Sequence, residues 1–225
     1  MTDLLVELPV DSVLLLGPTG VGKSPLGDLL AVRGFLGRTC RHLDFGSELR
    51  SIASGKGLSL YTADELKFIR GVLERGLLLE NEHFALAGKI IENFLARTKF
   101  KPNDVLVLNG IPRHAGQAHD MSLIAHVHAV IVLECTADAV HCRIVDNIGG
   151  DRTDRIDDGK ELIEKKLRIF EERTAPLIEY YEKSGSMLYR IPIDGGTTTD
   201  EAYNKLLSLA GAYPPVAFIA EPPER

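Results

Sequence analysis

The stretch Gly17-Pro18-Thr19-Gly20-Val21-Gly22-Lys23-Ser24, directly behind an apolar run at residues 13–16, decides the fold. It satisfies G-x-x-x-x-G-K-[ST] between a strand-like run and a helical pattern carried by Leu26, Leu29 and Leu30, the context in which this motif cradles phosphate. Glycines let backbone N–H groups curl around a phosphate, and the helix that follows adds partial positive charge at its first turn. Lys23 is placed to reach the β- and γ-phosphates of ATP, and the Ser24 hydroxyl to ligate its Mg2+ cofactor. Pro25 suits the first helical turn but has no N–H, so one anion donor is missing. The candidate ATP-binding set is therefore Gly17, Thr19, Gly20, Val21, Gly22, Lys23, Ser24 and Pro25.

Outward from this loop, further apolar runs at 105–108, 129–133 and 187–193, with a short one at 41–44, predict four more strands. The runs at 13–16, 105–108 and 129–133 are continuous, as in parallel strands covered on both faces. The alternation with helical segments predicts a three-layer α/β/α fold around a five-stranded parallel sheet. Residues 51–97 carry helical spacing such as Leu66, Ile69, Val72 and Leu73, broken at Ser54-Gly55-Lys56-Gly57 and at Gly76, and read as a helical insertion over one sheet edge. The polar loop at 147–154 precedes a long helix with Ile163, Leu167, Phe170, Thr174, Leu177, Ile178 and Tyr181 on one face. A kink is predicted at Pro176 and a stop at Gly185. The proline-bearing tail from Tyr213 is expected to dock loosely or stay disordered.

The 225 residues are 44% apolar and carry Lys+Arg 26 against Asp+Glu 32, a formal net charge of -6. This balance excludes global disorder and a partner as anionic as bulk nucleic acid, whose affinity rests on many Lys and Arg. No apolar run is long enough to span a bilayer, which needs about 18 residues, and the first ten residues carry acids in place of a basic leader. A cytoplasmic, monomeric protein is the expectation. Cys40, Cys135 and Cys142 are odd in number and lack metal spacing, so they read as buried reduced thiols. His126 and His128 flank Val127 with no third ligand evident.

Beyond the loop, the residues bear a specific likeness. Asp44-Phe45-Gly46-Ser47-Glu48-Leu49-Arg50 resembles the start of the monophosphate-binding lobe of the adenylate kinase (nucleoside monophosphate kinase) family, and Asn109-Gly110-Ile111-Pro112-Arg113, followed by Gln117-Ala118, resembles that family's D-G-[FY]-P-R-x-x-x-Q-A signature. Arg143-Ile144, Arg155-Ile156-Asp157-Asp158 and the run at 174–181 resemble further family segments in the expected order. The resemblance implies one domain over 1–225: a core of 12–50, 98–146 and 156–211, a nucleoside-monophosphate lobe at 51–97, a short lid at 147–155 and the tail at 212–225. It implies that Arg50 and Arg113 clamp the acceptor phosphate, that Gln117 hydrogen-bonds its base, and that Phe45, Gly46, Leu77, Leu79 and Gly110 line the same site. Arg143, Arg152 and Arg155 would serve ATP, with Gly195 near its adenine; Lys23, Arg113, Arg143 and Arg155 are the candidate catalytic residues. Guanidinium forks match phosphate oxygens bidentately, which makes such a set chemically apt.

The pattern is broken at several places. Asn109 replaces an aspartate that holds magnesium's water shell in the family, leaving Asp44 or Glu48 as candidate substitutes. Phe45 replaces a small hydroxyl residue, Asn147 and Lys166 replace arginines, and the lid is too short for the large, zinc-binding form. Three readings remain open on these residues: a nucleoside monophosphate kinase with AMP as acceptor, a kinase of a small hydroxyl substrate with Asp44 as base, and a nucleotide-binding regulatory protein with little or no turnover.

Overall fold

The computed structural model describes residues 7–77, 79–150 and 160–218. Among them, five strands form one parallel sheet: β1 Val10–Leu16, β2 Cys40–Asp44, β3 Val105–Asn109, β4 Ala125–Glu134 and β5 Met187–Pro192, in the order β2-β3-β1-β4-β5. The helices are α1 Lys23–Arg33, α2 Phe45–Ala53, α3 Ala63–Arg75, α4 Phe84–Thr98, α5 Ala115–Met121, α6 Ala137–Val145, α7 Lys160–Ile169, α8 Pro176–Lys183 and α9 Thr199–Ala212. The three-layer α/β/α architecture read from the sequence is the one observed.

Strand alternation divides the core in two. Leu14, Leu16, Leu106, Leu108, Val130 and Val132 face Ile90, Ile91 and Leu177 on one side, while Val13, Leu15, Val105, Val107, Ala129 and Ile131 face Leu26, Leu30 and Leu206 on the other. Burial on both faces is why the central strands are apolar without a break; each fully buried leucine contributes roughly 2 kcal/mol. Because β1 lies between β3 and β4, the chain leaves it toward opposite sheet edges, opening a crevice at the carboxyl ends of the strands. Registers Leu15↔Asn109 and Asp44↔Asn109 set the ends of β1, β2 and β3 side by side at that crevice.

Strands β1 and β4 begin three and four residues earlier than their apolar runs. Val10 pairs with Ala125 and Ser12 with Val127, ahead of an irregularity between Ser12 and Val13. Ser12 tolerates burial because its hydroxyl donates to His126 O at 2.9 Å. Between α2 and α4, a capping box of Thr62 and Glu65 starts α3, and Gly76, at φ 59°, ends it. The expected kink at Pro176 is a π turn over Phe170–Thr174: proline has no N–H to continue the ladder, and Ala175 N–H reaches back five residues to Phe170 O at 2.7 Å.

Part of the tail is docked. Phe218 is buried, its ring centroid 6.1 Å from that of Phe35 and 5.4 Å from that of His128, under the Arg38 guanidinium at 4.6 Å. Of the three free cysteines, Cys40 is buried and its thiol pKa is pushed up to about 12 by that burial, whereas Cys142 is exposed, contrary to its expected burial, because it lies on an outer position of α6. Among the described residues no helix is long and apolar enough to cross a membrane. Arg152 and Arg155, most of the expected lid and the last seven residues lie outside the described residues.

Candidate active site

The loop between β1 and α1 is built around glycines that nothing else could replace. Gly17 and Gly20 have φ of 150° and 81°; a Cβ on Gly17 would sit 2.7 Å from Leu133 O, and one on Gly20 would sit 2.5 Å from Ile144 Cγ1. Val21 is buried and anchors the loop to the core, leaving Thr19, Gly20 and Gly22 on the cleft wall. Lys23 opens α1 and donates from Nζ to Gly17 O and Pro18 O, both at 2.7 Å. The first turn of α1 holds no acidic residue, so its N–H groups and positive dipole end are not neutralised locally.

Below the loop, Ser24 Oγ donates to Asp44 Oδ2 at 2.5 Å, and Asn109 Nδ2 lies 3.2 Å from both Ser24 Oγ and Asp44 Oδ2. Burial works to raise the Asp44 pKa, but the hydrogen bonds from Ser24 and Ser47 N–H, with positive charge from His42 and Arg50, outweigh it and hold the carboxyl below its ordinary value. Ser24, Asp44 and Asn109 thus offer hard oxygen atoms, the donor type magnesium takes. Glu48 is engaged elsewhere, bonded to Arg97 at 2.7 and 3.3 Å. Among the described residues no group of three His, Cys, Asp or Glu is placed to hold a metal ion.

On the other side of Asp44 the cleft is lined by Phe45, Gly46, Arg50, Leu77, Leu79, Gly110, Arg113 and Gln117, with Leu49, Val72 and Ile111 between them. The guanidinium groups of Arg50 and Arg113 make no hydrogen bond or ion pair among the described residues. Burial lowers the Arg113 pKa from its ordinary value, yet an arginine stays charged. The Arg113 peptide is clamped: its N–H donates to Gln117 Oε1 at 2.8 Å, and its carbonyl accepts from Thr174 Oγ1 at 2.9 Å. Gln117 Nε2 donates to Leu79 O at 2.9 Å, and His114 Nε2 lies 3.1 Å from the same oxygen, so α5 grips the chain that walls the cleft.

Arg143 is buried beneath the loop, its NH1 donating to Asp194 O at 3.0 Å and Thr197 O at 2.7 Å, so it meets the turn containing Gly195 and does not line the cleft. A Cβ on Gly22 would come within 3.2 Å of its NH2. Lys166, which stands where the family keeps an arginine, lines the cleft with Ile169. One feature went unread in the sequence. His42 contacts Asn109, Asp28 and the backbone of Gly27; the glycine inside the α1 pattern was the available signal of that close approach.

No protein-family model matches the sequence. The chain is 32% identical over 206 residues to an adenylate kinase of Deinococcus radiodurans, covering 87% of this chain and 94% of that protein. It is 24% identical over 200 residues to UMP-CMP kinase 1 of Oryza sativa subsp. japonica, covering 88% and 72%. A gluconokinase structure from Sinorhizobium meliloti 1021 superposes with a TM-score of 0.53 at 14% identity, covering 94% of this chain and 98% of that one, a likeness of fold alone. Identity of 32% sustained along nearly the whole of both chains, over a sheet and phosphate loop of this kind, places the protein in the adenylate kinase family of phosphotransferases.

Proposed function

We propose that the protein transfers the γ-phosphoryl group of ATP to a nucleoside monophosphate, AMP foremost, giving ADP and a nucleoside diphosphate. The observation that carries this reading is the pair Arg50 and Arg113: two guanidinium groups that line one cleft beside the phosphate loop, neither of them in a salt bridge among the described residues. Desolvation of a guanidinium such as that of Arg113 is costly unless a ligand supplies the anion, and a phosphate monoester supplies two charges in a matching geometry.

The cleft wall supports a nucleotide over a polyol. Leu49, Val72, Leu73, Leu77, Leu79 and Ile111 form an apolar slot suited to a flat base, and Gln117, its amide bonded to Arg113 N–H and Leu79 O, braces that wall instead of presenting a free amide. Asp44 lines the cleft too, but its carboxylate is occupied by donors and held acidic, which makes it a poor base for a hydroxyl substrate. A phosphate acceptor needs no base, since its second pKa is about 6. Lys23 and the loop N–H groups hold the β- and γ-phosphates, Arg50 and Arg113 hold the acceptor in line, and Arg143 with Gly195 supports the adenine side. Ser24, with Asp44 and Asn109 behind it, would hold magnesium, which neutralises charge on the β- and γ-oxygens. Catalysis is then positioning and electrostatics, with residues 51–97 and the lid, including Arg152 and Arg155, closing to exclude water.

ATP consumption measured with AMP, GMP, CMP, UMP and dTMP at varied magnesium tests this. AMP is expected to give the highest kcat/KM; absence of turnover with every monophosphate would reject the proposal.

A further inference from the structure

The wall of the base slot includes residues that belong to no helix or strand. Leu77 and Leu79 lie between the end of α3 at Arg75 and a 3-10 turn at Asn81–His83, so contacts with neighbouring elements set where they stand. On one side α5 grips them through Leu79 O. On the other, a single segment, α7 with the π turn behind it, reaches the same stretch twice. Lys165 Nζ donates to Arg75 O at 2.9 Å, at the carbonyl end of α3, and Arg173 donates from NH1 and NH2 to Glu80 Oε1 and Oε2 at 2.6 and 2.8 Å. These contacts bracket Leu77 and Leu79. Within the same segment Lys166 and Ile169 line the cleft, and Thr174, next to Arg173, holds the Arg113 carbonyl at 2.9 Å.

Both side chains of the Arg173–Glu80 pair are partly exposed, and an isolated pair of that kind contributes little, because two long side chains must be ordered against water. This pair differs in its setting. Its two hydrogen bonds leave one planar fork in parallel, the arrangement that adds geometric specificity, and the residue after Arg173 is itself bonded to the backbone of the acceptor arginine. We propose that Arg173 is a positioning residue of the acceptor site: its fork on Glu80 holds the wall bearing Leu77 and Leu79 at a fixed span from Arg113. A base in the slot and a phosphate on Arg113 are two ends of one ligand of limited reach. Loosening the wall therefore weakens the acceptor and leaves the ATP side untouched, since an ordered site binds with less to immobilise. This role rests on the reading of the cleft as a nucleoside monophosphate site.

The test is a double-mutant cycle on the full-length protein, R173A, E80A and R173A/E80A, with R173K as the conservative variant. Steady-state kinetics give kcat, the AMP KM and the ATP KM, and calorimetric titration gives AMP affinity without turnover. R173A is expected to raise the AMP KM and weaken AMP binding by about threefold to fivefold, the upper range for an exposed pair, with kcat and the ATP KM within about twofold of wild type. E80A should lose as much, the double variant no more than either single one, and R173K should recover part of the loss. An AMP KM unmoved by R173A, a matching rise in the ATP KM, or losses that add in the double variant would overturn the positioning role while leaving the kinase reading intact. Wild-type protein that neither binds nor phosphorylates any nucleoside monophosphate would overturn both.

Discussion

Asn109 and Asp44 face each other as register partners across β3 and β2, with Asn109 Nδ2 3.2 Å from Asp44 Oδ2. An amide and a carboxylate in this arrangement share one negative charge, carried by Asp44. Placing aspartate at 109 as well would bring two carboxylates together, and such pairs do not both ionise freely. N109D is therefore expected to lower kcat/KM by roughly tenfold near neutral pH, where each pKa unit of repulsion is about 1.4 kcal/mol. D44N should also lose activity, and D44N/N109D should outperform either single variant. Steady-state kinetics of the three proteins decide the matter, and N109D as active as wild type would refute the shared-charge account.

Arg50 and Arg113 give a second prediction. Each lines the cleft and forms no salt bridge among the described residues, so truncation chiefly removes ligand contacts. R50A and R113A are expected to cost about 10²- to 10³-fold in kcat/KM for the monophosphate, with ATP affinity nearly unchanged. R113K should recover little, because an ammonium lacks the planar fork. Equal losses for both substrates would point to a damaged loop instead of an acceptor clamp.

The residues that carry short-range patterns were legible, namely the loop at 17–24 and the continuous strands, while Arg50, Arg113 and Gln117 were pointed to by the family resemblance and line the cleft. What escaped depends on contacts between elements. Asp11, Ser12, His126 and His128 read as polar, yet they belong to strands because Ser12 finds an acceptor and His128 Nε2 meets Asp11 Oδ1 at 2.8 Å. The single apolar face expected over 163–181 is not continuous, because the π turn at Phe170–Thr174 offsets the faces of α7 and α8. That offset leaves Leu167 and Phe170 half-buried while Leu177 and Tyr181 are buried. The pair His42 and Asp28 joins a strand to a helix, and no local pattern announces it.

The depressed Asp44 pKa makes stability depend on pH in a stated direction. The folded state binds a proton at this site less readily than the unfolded chain, whose aspartate titrates near about 3.9. The ionised carboxylate therefore stabilises the fold above that value, and the contribution fades as pH falls through it toward the folded pKa. D44N should be less stable than wild type at pH 7, with the gap narrowing below about pH 4. Urea midpoints for both proteins across this range provide the measurement. A gap that is constant with pH would show that the loss comes from packing and not from charge.

Phe218 links the end of the chain to the side of the sheet remote from the cleft. Its ring contacts Phe35 and His128 edge to face and carries the Arg38 guanidinium, which also pairs with Asp11 at 2.7 Å, so one side chain closes over the starts of β1 and β4. Among the described residues, the contacts of Phe218 lie apart from Lys23 and Arg113. F218A should therefore cost about 3 kcal/mol of stability, as large-to-small changes at buried aromatics do. For a chain of this length that corresponds to a fall in Tm of roughly 6–12 °C. At a temperature where both proteins are folded, kcat and both KM values should match wild type within about twofold. A variant with an unchanged melting temperature would show the docked turn to be energetically idle, and a variant with wild-type stability but lost turnover would place the tail in the catalytic cycle.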